Sequence, residues 1–481
     1  MKNSSNIFAV RISGIAGEGV KTAGQIVAKA ATRAGMHTYN YVEYPSLIRG
    51  GRNLITVNIS SEPVLASKKT PDLDFDISKI SGVHKNIIAV GTILKMLGGD
   101  LENVRDLLFD QYDEAKSGFD NAAQTNPILS SRSGLAKILI NGNEAAAMGA
   151  IAAGLQFASI YPMSPVSGIL HFLAEHQREF GYIYKQPEDE IAAVNMSIGA
   201  SFAGARAMTA TSGGGFCLMT EGVGLAGMTE TPLVIINGMR GGPATGLPTW
   251  SEQGDMNLVL GAGQGDFPRI VLAPGDAKEI FEQTRLAFNL AEKYRTPVIV
   301  LIDKNLCDHD QSFDEMANGE WQVESYERKK PGTGEYFISN SYEHNDFGQT
   351  TEEISERNLH MQKRWQKLSE CAKNDLPTPK IYGPEEATTT IVSWGSTKGA
   401  VLEALKELPE VNFLHLNWVS PFPTEAVQKF LGKAKRVINV EQNISGQMGS
   451  WITRNTGITI VENILKYDGR PFFPEEIIEK I

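Results

Sequence analysis

Three acids in a row, Glu188, Asp189 and Glu190, follow Pro187 and lead into "IAAVNMSIGASFAGARAMTATSGGG". A carboxylate placed there could do either of two jobs. At the start of a helix it is favoured by the unpaired N–H groups, by about 0.3–1 kcal/mol, and Pro187 suits the first helical position, which puts all three acids in the first turn. Alternatively, one of them could be a working group presented to a ligand. The residues that follow favour the second job for Glu190. Ala192, Ala193, Ser197, Gly199, Ala200, Ala203 and Gly204 leave the helix surface almost bare, and a glycine inside a helix costs about 1 kcal/mol relative to alanine. That pattern fits a helix closely approached by something flat or by another helix.

Other stretches carry polar groups in strand-to-helix loops, where open α/β sheets bind ligands. "YPMSPVSG" at 161–168 holds Ser164 between two prolines, which stiffen the loop and fix the hydroxyl. "NGMRGGPATGLPT" at 237–249 has Arg240 as its one cation. A guanidinium in such a loop suits bidentate binding of a carboxylate, or pairing with a surface acid. "GIAGEG" at 14–19 joins a strand to a helix, so its backbone N–H groups could hold a phosphate. Gly14, Gly17 and Gly19 give G-x-x-G-x-G, the reverse of the dinucleotide spacing G-x-G-x-x-G. Glu43 on the next strand could imitate the acid that binds a nicotinamide ribose. A phosphate-bearing ligand and a mere tight turn both stay open. "EYPSLIRGGRN" at 43–53 sets Arg49 and Arg52 around Gly50 and Gly51, as a basic cover for an anion or as an ordinary exposed loop.

The elements that must position these groups fall into three stretches. The chain has 481 residues, a length typical of about three domains. Residues 1–132 begin with a strand, the glycine turn, the helix "VKTAGQIVAKAATRAG" and the strand "HTYNYVEY", a βαβ unit, and 110–132 reads as a polar surface connection. Residues 133–320 alternate helices with short continuous apolar strands, which predicts a parallel sheet covered on both faces. Residues 321–375 read as a linking excursion with one charged helix. Residues 376–481 open with another βαβ pattern. The expected fold class is therefore α/β in three modules.

Bulk properties narrow the function. A formal charge of −11 argues against nucleic acid or an anionic membrane surface as partner. Cys217, Cys307 and Cys371 lie far apart without a C-x-x-C, so they predict no disulfide framework, zinc site or iron–sulfur site, and no metal is expected on this chain. "MKNSSNIFAVRIS" lacks the apolar core of a signal peptide, and "AAAMGAIAAGLQFASIYPM" is too weakly apolar to span a membrane. A cytoplasmic protein is expected.

Taken in order, "YPMSP", "PEDEIAA", "TATSGGG", "RGGPATGLPT", "EYFISNSYEH" and "ILKYDGRPF" resemble the alpha subunit of 2-oxoacid:ferredoxin oxidoreductases. "GIAGEGV…YPSLIRGG" is similar to the gamma module fused at its N-terminus. The resemblance covers nearly the whole chain. It implies that the central stretch is the pyrimidine-binding domain of a thiamine diphosphate enzyme and the last a transketolase C-terminal type of domain. It implies that Glu190 is the catalytic glutamate that hydrogen-bonds the aminopyrimidine, with Tyr161, Pro162, Thr211 and Ser212 beside the cofactor. Arg240 would bind the substrate carboxylate. Ser164 stands where the family's Y-P-[IM]-T-P has a threonine that contacts the oxo acid, so the hydroxyl is kept and a methyl lost. Gly14, Gly17, Gly19, Arg49, Gly50 and Gly51 would form the loop for CoA or another anion.

The implied reaction is CoA-dependent oxidative decarboxylation of a 2-oxoacid, with electrons passing to ferredoxin. "ILKYDGRPF" and "SNSYEH" favour the 2-oxoglutarate branch over the pyruvate branch. The chain has no GDG-to-Asn motif for diphosphate and Mg²⁺ and no cysteine cluster. Both Mg²⁺ and a [4Fe-4S] cluster are therefore expected on a beta subunit, in an (alpha–beta)2 heterotetramer. Residues 61–85 stand where the family has further strand and helix units, so the gamma module is shortened, and "YERKKPGTGEYF" is short as well. A non-catalytic or assembly subunit and a stand-alone NAD dehydrogenase are the competing readings. Retained Glu190 and Arg240 speak against the first, and the reversed glycine spacing against the second.

Overall fold

The computed structural model describes residues 6–45, 51–129, 134–316, 323–334 and 338–481. Continuous apolar strands such as "PVIVLID" are buried on both faces, so each needs a layer above and below. The result is three sheets.

The first has six strands in the order Leu73–Asp76, Phe8–Ile15, Arg52–Ser60, His37–Glu43, Gln311–Phe313, Ile138–Ile140. The strands Phe8–Ile15 and His37–Glu43 run the same way around the helix Val20–Arg33, as a βαβ unit would. They are not neighbours, because Arg52–Ser60 is inserted between them, antiparallel to both. Its Ile55, Val57 and Ile59 are at most 1% exposed, and the helix approaches so closely that a Cβ on Gly24 would meet the Ile55 side chain. A centrally buried strand explains the arrangement better than an edge could.

The stretch 110–132 is more than a surface connection. Tyr112–Asp120 is a helix that lies on the helix Lys85–Met96, with Ala115 and Gly118 inward. A Cβ at Gly91 would strike the Ala115 carbonyl, and one at Gly118 the Ile88 carbonyl. The contact face is made of small residues, too weakly apolar to give a helical signal in the sequence.

The central sheet has seven strands in the order Trp418–Ser420, Ile270–Leu272, Pro297–Asp303, Leu233–Met239, Ala207–Thr211, Phe157–Ser159, Ile183–Lys185. All are parallel except Trp418–Ser420, an antiparallel edge from the last stretch. Helices Gly142–Ala152 and Ala277–Tyr294 cover one face through Ala146, Phe281 and Phe288. Helices Glu190–Phe202 and Gly213–Met228 cover the other, in a core shared with Trp394, Leu414 and Ile452. The third sheet has five strands in the order Lys380–Tyr382, Val411–Leu416, Thr389–Trp394, Arg436–Glu441, Glu462–Leu465.

Strands cross between these units. Ile138–Ile140 and Gln311–Phe313, which flank the central stretch, pair with each other and extend the first sheet. Lys398 of the third sheet's layer reaches Asp276 and, at 2.6 Å, Glu279, both at the start of helix Ala277–Tyr294. No helix among the described residues is long and apolar enough to cross a membrane.

Candidate active site

The helix that follows the three acids starts at Glu190, with Asp189 as its N-cap. Asp189 Oδ1 accepts the Ala192 N–H at 2.8 Å, the ordinary duty of an aspartate at that position. Pro187 and Glu188 therefore precede the helix, and Glu190 alone lies in its first turn. The expectation that Pro187 opens the helix and all three acids share its first turn is corrected: Asp189 has an extended backbone and is itself the cap, three residues later than a first helical position at Pro187 implies.

Glu190 is 3% exposed, and its Oε1 has no hydrogen-bond partner within the chain. A buried acceptor left unpaired is costly, about 1–3 kcal/mol, unless something outside the chain completes it. Gly215, in the first turn of the neighbouring helix, faces it: a Cβ there would stand 2.6 Å from Glu190 Cγ and Oε1 and would also strike Thr211 Oγ1. Nearby, Ser212 Oγ and Thr209 Oγ1 are buried without partners too. A side chain added at Gly214 would meet nothing within 4 Å, so the helix start opens onto free space.

Thr211 Oγ1 lies 3.9 Å from Met163 Sδ, which brings the loop 161–168 against the same group. The Ser164–Pro165 peptide is cis, and the loop is held by Asn143 Nδ2, which donates to the Pro165 carbonyl at 3.0 Å. Within it Ser164 and Pro162 are exposed and Tyr161 is half-buried. Arg240 Nη1 donates to the Ser164 carbonyl at 3.0 Å. Burial pulls the Arg240 guanidinium below its ordinary range, opposed by the charges of Asp255 and Glu190. Glu190, Thr211, Ser212, the Ser164 loop and Arg240 thus converge at the carboxyl ends of the central strands.

Two acids missing from the sequence-based reading belong here. Asp255 is pushed up to about 6 by burial, against the pull of Asn237 and Arg240. Its Oδ2 accepts from Asn237 Nδ2 at 3.2 Å, while Asn237 Oδ1 stays unpaired. Glu252 is also raised by burial, offset by the Gly242 N–H and reinforced by Asp255. Nothing local in "SEQGD" at 251–255 marks them, since Asp255 gains its surroundings only when Asn237 and Gly213 are brought beside it.

The glycine loop lies in the first unit, not at this centre. Gly17 and Gly19 have φ of 97° and 71°, which favours glycine, and Gly19 caps helix Val20–Arg33. Gly14 lies within the first strand, opposite Asn53. The Ile15 N–H donates to Glu18 Oε2 at 2.8 Å, and Lys85 pairs with Glu18 at 3.2 Å. Gly51 accepts from the Ala16 N–H at 3.3 Å, whereas Arg49 and Gly50 lie outside the described residues. Arg52 is bound to Asp76 at 2.7 Å. Glu43 accepts from the Tyr41 hydroxyl.

The residues present fit a thiamine ring. Glu190 offers an unpaired buried oxygen, and the glycines at 213–215 leave space where side chains would stand. Among the described residues no group of three His, Cys, Asp or Glu could hold a metal ion.

Comparison with known proteins agrees with this architecture. Residues 148–373 match the family described as "Pyruvate flavodoxin/ferredoxin oxidoreductase, thiamine diP-bdg". Residues 9–76 match "Pyruvate ferredoxin/flavodoxin oxidoreductase", and 387–477 match "Pyruvate:ferredoxin oxidoreductase core domain II". The chain is 33% identical to the 2-oxoacid:ferredoxin oxidoreductase 1 alpha subunit of Sulfurisphaera tokodaii, over 92% of this chain and 77% of that one. It is 38% identical to the corresponding subunit of Saccharolobus solfataricus, over 72% of this chain but 61% of the relative's length. It is also 38% identical to the 2-oxoglutarate synthase subunit KorA of Archaeoglobus fulgidus, over 71% and 97%. A solved structure of 2-oxoglutarate:ferredoxin oxidoreductase from Magnetococcus marinus, with 2-oxoglutarate, coenzyme A and succinyl-CoA bound, superposes with a TM-score of 0.89 at 28% identity, covering 99% of each chain. The chain belongs to the family of 2-oxoacid:ferredoxin oxidoreductase alpha subunits.

Proposed function

We propose that this chain is the cofactor-activating and substrate-orienting subunit of a CoA-dependent 2-oxoacid:ferredoxin oxidoreductase, with 2-oxoglutarate as its substrate. The observation that carries the reading is Glu190 Oε1, buried and unpaired across from Gly215, with the Arg240 guanidinium close enough to feel its charge. Bound thiamine diphosphate supplies the carbanion stabilisation that decarboxylation needs. Glu190 would hold the aminopyrimidine through its unpaired Oε1, with Thr211 and Ser212 beside the ring and Tyr161 and Pro162 in the loop next to it. Arg240 binds the substrate carboxylate, and Ser164 presents its hydroxyl to the oxo group. Charge-assisted bonds of this kind are about twice as strong as neutral ones, which suits an anionic substrate.

The remaining parts come from partners. A beta subunit supplies Mg²⁺, the diphosphate site and the [4Fe-4S] cluster, ferredoxin takes the electrons, and the assembly is an (alpha–beta)2 heterotetramer in the cytoplasm. The glycine loop takes CoA, with Gly17 and Gly19 giving backbone room and Arg49, Gly50 and Gly51 forming its cover. The proposed modules are 1–132, 133–320 and 376–481 with a linking excursion at 321–375, although the strands Ile138–Ile140 and Gln311–Phe313 pair into the first sheet.

The test is oxygen-free, CoA-dependent reduction of a viologen dye by the chain co-purified with its beta subunit, comparing 2-oxoglutarate with pyruvate. Turnover with 2-oxoglutarate that vanishes without CoA supports the assignment. No turnover with any 2-oxoacid, from a complex containing its cluster and thiamine diphosphate, means a silent subunit.

A further inference from the structure

The loop that carries Arg240 has little of its own to hold it still. Gly241, Gly242 and Gly246 follow the arginine, and residues 242–247 are exposed. The loop closes through an antiparallel bridge between Gly241 and Leu247. The Gly241 N–H also donates to the Trp250 carbonyl at 3.2 Å. Where Trp250 stands therefore decides where Gly241 stands, and Arg240 is the residue before it.

Beyond Trp250 the chain is clamped by the last domain. Ser251 and Gln253 are at most 2% exposed. Gln442 Nε2 donates to the Ser251 carbonyl at 2.9 Å, and Gln253 Oε1 accepts the Gln442 N–H at 2.9 Å. Gln253 Nε2 donates to the Trp394 carbonyl at 2.7 Å. Trp250 is the joint between this buried clamp and the exposed loop, and the same domain covers its half-buried indole. The Arg470 guanidinium lies 3.8 Å from the ring centre. Its Nη1 donates to the Asp468 carbonyl at 2.9 Å, which fixes its direction. Gly469, with φ of 85°, brings backbone so near that a Cβ there would stand 2.8 Å from Trp250 Cβ.

A carboxylate gains its full bond only from a guanidinium already in place. A loop that is in place for a fraction of the time weakens the apparent affinity by that fraction. We propose that Arg470, stacked on Trp250, is a positioning residue for Arg240, so that affinity for the oxoacid is set from a domain beyond the reacting centre. This rests on the reading of Arg240 as the substrate anchor. A cation–π contact at a half-buried site is strong enough to shift such a loop by about threefold to tenfold.

The experiment uses the complete complex with its beta subunit and follows dye reduction over a range of 2-oxoglutarate concentrations. Arg470→Ala should raise KM about threefold to tenfold and keep kcat within about twofold, because saturating substrate selects the competent loop. Trp250→Leu should do the same from the other side of the contact. A merely structural loss would lower the melting temperature and the amount of active complex without moving KM. In the Trp250→Leu background Arg470→Ala should add nothing, since its platform is gone. A further rise there would mean that the Arg470 charge acts on the substrate at long range, and it overturns the inference. An unchanged KM in Arg470→Ala overturns it as well, whether or not kcat falls. Arg240→Ala keeps the two readings apart. If it leaves KM untouched, the substrate anchor is misassigned; if it raises KM while Arg470→Ala does not, only the positioning role fails.

Discussion

The carboxylate of Glu190 and a side chain at Gly215 exclude each other, since a Cβ at 215 would lie 2.6 Å from Glu190 Cγ and Oε1. Two helices from consecutive strand–helix units meet there without room for a methyl group. Gly215→Ala should therefore turn Glu190 away from its place and lower kcat at least about 100-fold, the lower range for a lost acid–base group. Glu190→Gln should abolish turnover while the complex still assembles. Dye reduction together with gel filtration checks both, and near-normal turnover in either variant would detach Glu190 from the chemistry.

Ser164 sits in a loop fixed by Asn143 and by the Arg240 bond to its carbonyl. Ser164→Thr adds one methyl without disturbing either contact. A methyl in a binding pocket is worth about 1–3 kcal/mol at most, so the ratio of kcat/KM for 2-oxoglutarate and pyruvate should move by about tenfold. A constant ratio would show that the Ser164 hydroxyl does not face the substrate.

Acid stability has a specific source far from the site. Glu230 pairs with Lys367 at 2.6 Å and Lys363 at 2.9 Å, linking the end of helix Gly213–Met228 to helix Ile354–Asn374. Burial alone would raise the Glu230 carboxyl, but the two lysines hold it at about 2 instead of 4.5. A carboxyl lowered on folding stabilises the protein above its unfolded value and loses that contribution as pH falls toward 2. The contribution is about 3 kcal/mol at neutral pH. In Glu230→Gln the decline in stability between pH 4.5 and 2 should be shallower, as measured by denaturant titration at each pH. An identical decline would remove Glu230 from the account.

Lys398 bridges Asp276 and Glu279 across the boundary between the central and last sheets. Breaking a buried pair from one side leaves charge uncompensated, and Lys398→Met should cost about 3–5 kcal/mol. Restoring balance in a variant that also carries Asp276→Asn and Glu279→Gln should recover much of that. A Lys398→Met protein as stable as the wild type would mean that water reaches the acids.

Much of this was readable in the residues. Short apolar runs such as "PLVIING" and "PVIVLID" announce strands buried on both faces, and they form neighbouring parallel strands in the central sheet. Glu190 stood out because of the small residues after it, but the close approach those residues suggested is absent at Gly199, where a Cβ would meet nothing within 4 Å, and lies instead at Gly215 of the neighbouring helix. The insertion of Arg52–Ser60 between two strands joined by a helix was not readable, because the order of strands is set by long-range packing such as Gly24 on Ile55. Asp255 was missed for a related reason. Its importance arises from Gly213, Asn237 and Arg240, which are distant in sequence or lie on another element, and no local pattern marks a carboxylate that becomes buried only when those parts meet.

The short strand Trp418–Ser420 leaves its own layer to become the antiparallel margin of the central sheet, while Ile138–Ile140 and Gln311–Phe313 leave theirs to widen the first. Each unit thus lends backbone to the next, and none can be excised without baring a row of unsatisfied amides on what remains. The protein should melt in one calorimetric step rather than three. Splitting the gene at either junction should yield sticky fragments instead of tidy subunits.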